Sequence, residues 1–451
     1  MKQYLIKNIL SIAIPIFLYI LLSNFIHTQK DLILASLLIT TIIFWSTAII
    51  PGYQTSLLFL FTSLIFSLSD KQIIFSGFSS SAFWLVFAGM LIATAIKNVN
   101  LSDRFSSLFN RLNKPSYLKI LISINIFSIL FSFVMPSSVG RVVLLVPISI
   151  IVAKSFGFKP NDKGYMGIIL TFIVSTAIPA FTILPANVPN MILSGLTHEI
   201  YGVELLYSHY LLTNFLILGL IKDIFIVLLI YIFFKDTPKH SLLKHKKKPF
   251  CKDEKIVIFV ISVMLLFWTT DFIHGIPASI IAIAGVIFLA NPTINIIKSK
   301  DINNLNFASL LFVAAIISLG NIVSNNIFVK DILSTLINLF EPSKYELLNY
   351  ITITSSMALS GMFLTQPTVP AIFTPLASQL SSLSGFDLNE IFMMEVAAFS
   401  TIILPFQAPP IIIGLALANI KQTKILKILL ILTIISILFL YPLQYYWMKF
   451  I

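Results

Sequence analysis

Four short polar stretches interrupt the apolar runs of this 451-residue chain, and each combines proline with hydroxyl or amide side chains. They read Pro136-Ser137-Ser138-Val139-Gly140, Pro185-Ala186-Asn187-Val188-Pro189-Asn190, Thr365-Gln366-Pro367-Thr368-Val369-Pro370 and Pro405-Phe406-Gln407-Ala408-Pro409-Pro410. Proline breaks a helix by removing one hydrogen bond and clashing with the preceding turn, which frees carbonyls. Freed carbonyls and half-helix C-termini suit a cation. Half-helix N-termini with hydroxyl or amide donors suit a carboxylate or similar anion. Such breaks at membrane depth are tolerated only where protein or water satisfies the backbone.

Arg141 follows Ser137 by four positions, in the first turn after one break, where a charge is costly and usually functional. Its guanidinium could hold a carboxylate or sulfate through two parallel hydrogen bonds, or stand in the place of a coupling cation. The structural alternatives are a pair with Glu395 or Asp271, or snorkelling to water. Lys222 and Asp223 fall within the apolar run 210–234. Neighbours on a helix point about 100° apart, so they need not pair; an interfacial start to the run would leave both near the surface. His274, three residues after Asp271, reads as an interfacial cap, and Tyr445, Tyr446 and Trp447 as an interface belt. No Gly-rich phosphate loop, His-Glu-x-x-His pair or Gly-x-Ser-x-Gly elbow occurs. The single cysteine, Cys251, excludes an internal disulfide and a Cys-rich metal site.

The elements that must hold these groups are membrane helices. Apolar residues make up 57 % of the chain and charged residues 11 %, with a mean hydropathy of +0.96. Soluble chains carry about 25 % charge, so the outer surface of this one faces lipid. A span needs about 20 mostly apolar residues. Spans are expected near 4–26, 32–50, 54–69, 82–97, 164–194, 210–234, 256–271, 276–292, 306–327, 391–418 and 428–447. The pairs 117–135 with 138–156 and 347–363 with 368–381 are expected to be re-entrant hairpins. Followed from a cytoplasmic N-terminus, this path puts 23 of the 30 Lys and Arg in cytoplasmic segments and five outside. Arg141 and Lys222 are the two left at membrane depth.

The basic stretch 235–255 divides the chain, and the two sides resemble each other. Trp84-Leu-Val-Phe87 matches Ser309-Leu-Leu-Phe312; Pro147 with Gly157-Phe158 matches Pro375 with Gly385-Phe386; Leu184-Pro185 through Pro189 matches Leu404-Pro405 through Pro409. The charge map turns the second hairpin upside down relative to the first, an architecture of secondary transporters. The expected fold is an all-α polytopic membrane protein with about 11 transmembrane helices in two inverted repeats, each with a re-entrant hairpin and a broken helix. Its expected divisions are an N-terminal span (1–30), a first inverted repeat (31–234), a basic cytoplasmic linker (235–255), and a second inverted repeat with the last span (256–451).

The segment Phe78-Ser-Ser-Ser-Ala-Phe-Trp84-Leu-Val-Phe-Ala-Gly89 through Leu101-Ser-Asp-Arg104, together with Leu404-Pro405-Phe-Gln-Ala-Pro409-Pro410, resembles the divalent anion:sodium symporter family, within the ion transporter superfamily. The family carries Ser-Asn-Thr at each hairpin tip, ten residues before a proline. Here those positions read Ser137-Ser138-Val139 and Thr365-Gln366-Pro367, so both Asn and both Thr positions are changed. The resemblance implies that Ser137, Ser138, Thr365 and Gln366, with Asn187 and Ala408 beside the broken helices, contact substrate and coordinate sodium. The expected substrate set is therefore Ser137, Ser138, Arg141, Asn187, Thr365, Gln366 and Thr368; the expected cation set is Ser137, Ser138, Asn187, Thr365, Gln366 and Ala408. The expected activity is secondary transport of a small anion, a di- or tricarboxylate or sulfate, by symport or exchange. Neither a catalytic group nor a cofactor is expected; the coupling ion is Na+ or H+. The partners are the anion and the lipid bilayer of a cell (inner) membrane, with a homodimer left open and no nucleic acid. The alternatives are an arsenite or sodium/proton carrier of the same superfamily, or an intramembrane enzyme.

Overall fold

The computed structural model describes residues 2–47, 49–99, 101, 116–135, 137–238, 249–326, 342–362 and 366–451. These residues form helices and turns, with no strand among them. In chain order the helices are α1 (Lys2–Ser23), α2 (Gln29–Thr47), α3 (Gly52–Ile65), α4 (Ser81–Asn98), α5 (Tyr117–Val134), α6 (Ser138–Ser155), α7 (Lys163–Ala177), α8 (Val188–Tyr201), α9 (Tyr207–Asn214), α10 (Lys222–Phe234), α11 (Lys252–Thr269), α12 (Ala278–Ala290), α13 (Phe307–Asn325), α14 (Glu346–Ser360), α15 (Thr368–Phe373), α16 (Ala377–Ser384), α17 (Leu388–Phe399), α18 (Pro409–Leu417), α19 (Thr423–Ile435) and α20 (Tyr441–Phe450). Shorter helical turns join them. Six helical stretches among the described residues are long and apolar enough to cross a membrane, and four shorter apolar helices accompany them. This is an all-α polytopic membrane protein.

The chain divides into two compact units, each assembled from both sides of the basic stretch 235–255. One unit comprises 1–84, 191–205 and 306–399. At its centre α13 runs past backbone at very short range: a Cβ on Gly77 would lie 1.9 Å from the Ala314 carbonyl oxygen, and Gly77 N donates to Ser318 Oγ at 3.2 Å. Only glycine permits that approach. Phe312 of α13 meets Trp45 of α2 edge-on, with ring centroids 5.2 Å apart.

The other unit comprises 85–190, 206–305 and 400–451. Its axis is α7, whose residues are almost all buried among α5, α6, α10 and α18. Two of its spans carry a π-helical segment, Phe215–Ile221 before α10 and Ser436–Leu440 before α20. Helices α5 and α6 stand where the helices of the first pair, 117–135 and 138–156, are expected. The expected spans 164–194 and 391–418 are both interrupted. Between α7 and α8 the chain makes two 3-10 turns, Pro179–Thr182 and Leu184–Ala186; between α17 and α18 it runs irregularly from Ser400 to Leu404 and then turns at Pro405–Gln407. Each of the three 3-10 turns carries proline at its first or second position, as its missing N–H dictates.

Candidate functional site

Three of the four polar stretches fall in the unit built on α7. At the hairpin tip, Ser137 is the N-cap of α6: its Oγ accepts from Gly140 N at 3.2 Å. Ser138 is buried and donates to Asn187 Oδ1 at 3.0 Å, so the tip is tied to the break after α7. Asn187 Oδ1 also accepts from Val188 N at 3.0 Å, capping α8. The other end of that amide, Nδ2, is buried and has no partner among the described residues. Asn187 is only 6 % exposed, so an oxygen-bearing ligand at Nδ2 would complete a costly unmet donor. Asn190, not singled out by sequence, braces the break by donating to Ala180 O at 2.9 Å and Ile183 O at 2.8 Å.

Arg141 is completely buried on the inner side of α6. Its Nη1 donates to Met135 O, and Nη2 to Thr176 O at 3.3 Å and Ala186 O at 3.1 Å. Met135 caps α5, Thr176 lies in the last turn of α7, and Ala186 ends a 3-10 turn. Carbonyls at helix C-termini have no intrahelical partner and carry negative partial charge. The guanidinium therefore sits where three such ends converge, with main-chain acceptors rather than a carboxylate as its partners. Glu395 and Asp271, the two carboxylates weighed from sequence, are engaged elsewhere. Thr374 Oγ1 donates to Glu395 Oε2 at 2.8 Å, and Tyr207 N and Ser208 N donate to Asp271 at 2.5 and 3.3 Å, capping α9. His274 holds a local turn through Phe267 O and Ile276 N, as a cap would.

Lys222 and Asp223, expected near a surface, are instead buried. They do not pair with each other, consistent with their angular separation. Lys222 Nζ donates to Ser400 O at 2.8 Å, Ser400 Oγ at 3.2 Å and Thr401 Oγ1 at 3.2 Å, which uses all three N–H groups of the ammonium. Thr401 Oγ1 also accepts from Tyr441 OH at 2.9 Å. Asp223 Oδ2 accepts from Asn125 Nδ2, which also donates to Ser175 Oγ at 3.1 Å. The acceptors of Lys222 are 178 residues away, so no local pattern reveals them. The clue in the sequence is the length of the run: with α9 and the π segment it extends over 28 residues, and Lys222 falls in its middle. Each buried cation costs about 2.5–3.5 kcal/mol at a helix centre, which a set of hydrogen bonds worth about 1.5–3 kcal/mol each offsets.

Gln407 Oε1 accepts from Ile403 N at 2.8 Å and Leu404 N at 2.6 Å, shaping the second break, and Ala408 follows it, buried. The close contact of α18 with α6 and α7 depends on Gly414, where a Cβ would lie 2.8 Å from Ile173 Cγ1 and 2.9 Å from Val142 Cγ1. Gln366 and Thr368 belong to the unit built on α13, where both are buried. Thr365 lies outside the described residues. In the same unit Tyr201 OH donates to Thr374 O at 2.9 Å and accepts from Ser378 N at 3.3 Å, beside the Thr374–Glu395 bond.

The model of the sodium:sulfate symporter transmembrane region matches residues 2–451 of this chain. No curated protein matches. Among solved structures, the crystal structure of the Alcanivorax borkumensis YdaH transporter, described as having an unusual topology, is similar at a TM-score of 0.53 and 14 % identity, covering 88 % of this chain and 89 % of that one. At that identity the likeness concerns the fold. The family match spans nearly the whole chain, agrees with the motif resemblance within residues 78–104 and 404–410, and comes with buried polar breaks among apolar helices: the chain belongs to the sodium:sulfate symporter family, the divalent anion:sodium symporters.

Proposed function

We propose that this membrane anion transporter carries a small multivalent oxyanion, sulfate or a di- or tricarboxylate, by alternating access. The observation that carries the reading is the unpaired Asn187 Nδ2, held at a helix break by the Ser138 bond. A buried donor at a broken helix is suited to a carboxylate or sulfate oxygen. Within the unit built on α7, Ser137, Ser138 and Asn187 are the residues read as contacting the anion. The two sequence halves act as inverted repeats, and the basic linker 235–255 and the N-terminus face the cytoplasm of a cell whose inner membrane holds the chain. Transport is symport or exchange.

Uptake of labelled sulfate, succinate and citrate into proteoliposomes, with imposed sodium and pH gradients, tests this. Saturable uptake of at least one anion is expected, reduced by Ser138→Ala and Asn187→Ala. Absence of anion uptake under every gradient, with arsenite or sodium/proton flux in its place, refutes it.

A further inference from the structure

The family's name implies sodium, and the places where a helical membrane protein offers oxygen to a cation are the carbonyls freed at helix breaks. In the unit built on α7 a buried basic side chain already takes several such oxygens at each of two places. At the first, Met135 O, Thr176 O and Ala186 O all accept from the Arg141 guanidinium. At the second, Ser400 O, Ser400 Oγ and Thr401 Oγ1 all accept from the Lys222 ammonium. Both side chains are 0 % exposed, and the ion pairs found among the described residues involve His198 with Glu199 and Glu204, not these two. The neighbouring chemistry agrees. The tip position that is Thr in the family is Val139 here, without a side-chain oxygen, and the hydroxyl of Ser138 already donates to Asn187. A carbonyl cluster that holds a fixed positive charge does not fit a sodium ion, because the second cation would enter against full charge repulsion in a water-poor interior.

We infer that Arg141 and Lys222 are tethered cations that occupy the cation-binding positions at these two breaks, so that this transporter works without sodium bound there. The inference rests on the transport reading above, since it names the coupling of the same site. Its test is chosen to be independent of uptake.

The melting temperature of the purified full-length protein is measured in detergent in sodium chloride and in choline chloride at equal ionic strength. Wild type is expected to melt at the same temperature in both. Arg141→Ser and Lys222→Ser, which vacate the oxygens and add a hydroxyl, are expected to gain a saturable, sodium-specific rise of about 2–4 °C. If Arg141→Ser does not fold, Lys222→Ser and the wild type carry the comparison. A sodium-specific rise in the wild type overturns the inference, and so do folded variants as indifferent to sodium as the wild type. Parallel uptake in proteoliposomes is expected to be equal in sodium and choline for the wild type. Loss of all anion uptake overturns the transport reading but leaves the melting comparison to decide the cation assignment.

Discussion

Asn187 joins two jobs in one amide, and substitution can separate them. Its oxygen accepts from Ser138 Oγ and Val188 N, both at 3.0 Å, while its nitrogen is buried without a partner among the described residues. Asn187→Ala removes both accepted bonds and strands the Ser138 hydroxyl in a site only 5 % exposed. Two lost bonds at about 1 kcal/mol each, plus about 1–3 kcal/mol for the orphaned hydroxyl, give a loss of about 3–5 kcal/mol. Asn187→Asp keeps both accepted bonds, so what stability it loses is the cost of burying a carboxylate and not of orphaning Ser138. It loses the Nδ2 donor and adds a negative charge facing the anion. A hydrogen bond to a charged group is worth about 1.5–3 kcal/mol, which at 1.36 kcal/mol per tenfold predicts a KM for anion uptake raised roughly tenfold to a hundredfold. The assay is initial-rate uptake in proteoliposomes beside a detergent melting curve. Asn187→Asp with wild-type KM would remove Nδ2 from the anion site. Asn187→Ala with an unchanged melting curve would refute the structural role of the Ser138 bond.

Further outcomes follow from other contacts. Gly77→Ala would place a methyl 1.9 Å from the Ala314 carbonyl, a backbone atom that cannot yield without moving α13; a loss of at least about 3 kcal/mol is expected, read as loss of monodisperse protein on size exclusion. Asp223→Asn retains an oxygen to accept from Asn125 Nδ2 and should fall within about 1 kcal/mol of wild type, whereas Asp223→Leu leaves the buried amide nitrogen with Ser175 Oγ alone and should cost about 1–3 kcal/mol by melting. Thr374→Ser keeps the donor to Glu395 Oε2 and should transport normally; Thr374→Val leaves a fully buried carboxyl without its hydroxyl partner and should lower both melting temperature and uptake.

What the sequence could reveal followed from how local each signal is. Low charge and long apolar runs imply an all-helical membrane protein with no reference to distant contacts. Proline beside Ser, Asn or Gln marks the breaks, because helix termination depends on neighbours in the chain: α6 starts at Ser138 within the first polar stretch, and the interruptions after α7 and α17 include the expected Pro185 and Pro405 but begin earlier, after Ala177 and Phe399. Ser138 at the tip and Asn187 at the break after α7 are both picked out by residue type, though the bond between them spans 49 residues. Partners of the buried charges were not. Arg141 stood out as a cation at membrane depth, but three carbonyls from separate segments carry no side-chain signature, so carboxylates were the partners that sequence suggested. Lys222 looked interfacial because its acceptors lie across the chain, one of them a main-chain carbonyl. Asn125, Ser175 and Asn190 sit within apolar or break segments where a lone polar residue has no spacing to mark it.

The π segment at Phe215–Ile221 amounts to extra chain let into an otherwise α-helical span. Each α-helical residue advances about 100° around the axis, so the orientation of everything after the segment is set by how many residues it contains. Excising one of them would restore a regular α-helix, but would swing the Lys222 ammonium about 100° away from Ser400 and Thr401 and carry the Asp223 carboxyl off Asn125 in the same motion. The length of this run is therefore under as tight a constraint as its composition. A substitution for another apolar residue there changes only packing, while a one-residue deletion would turn a buried charge loose into hydrocarbon.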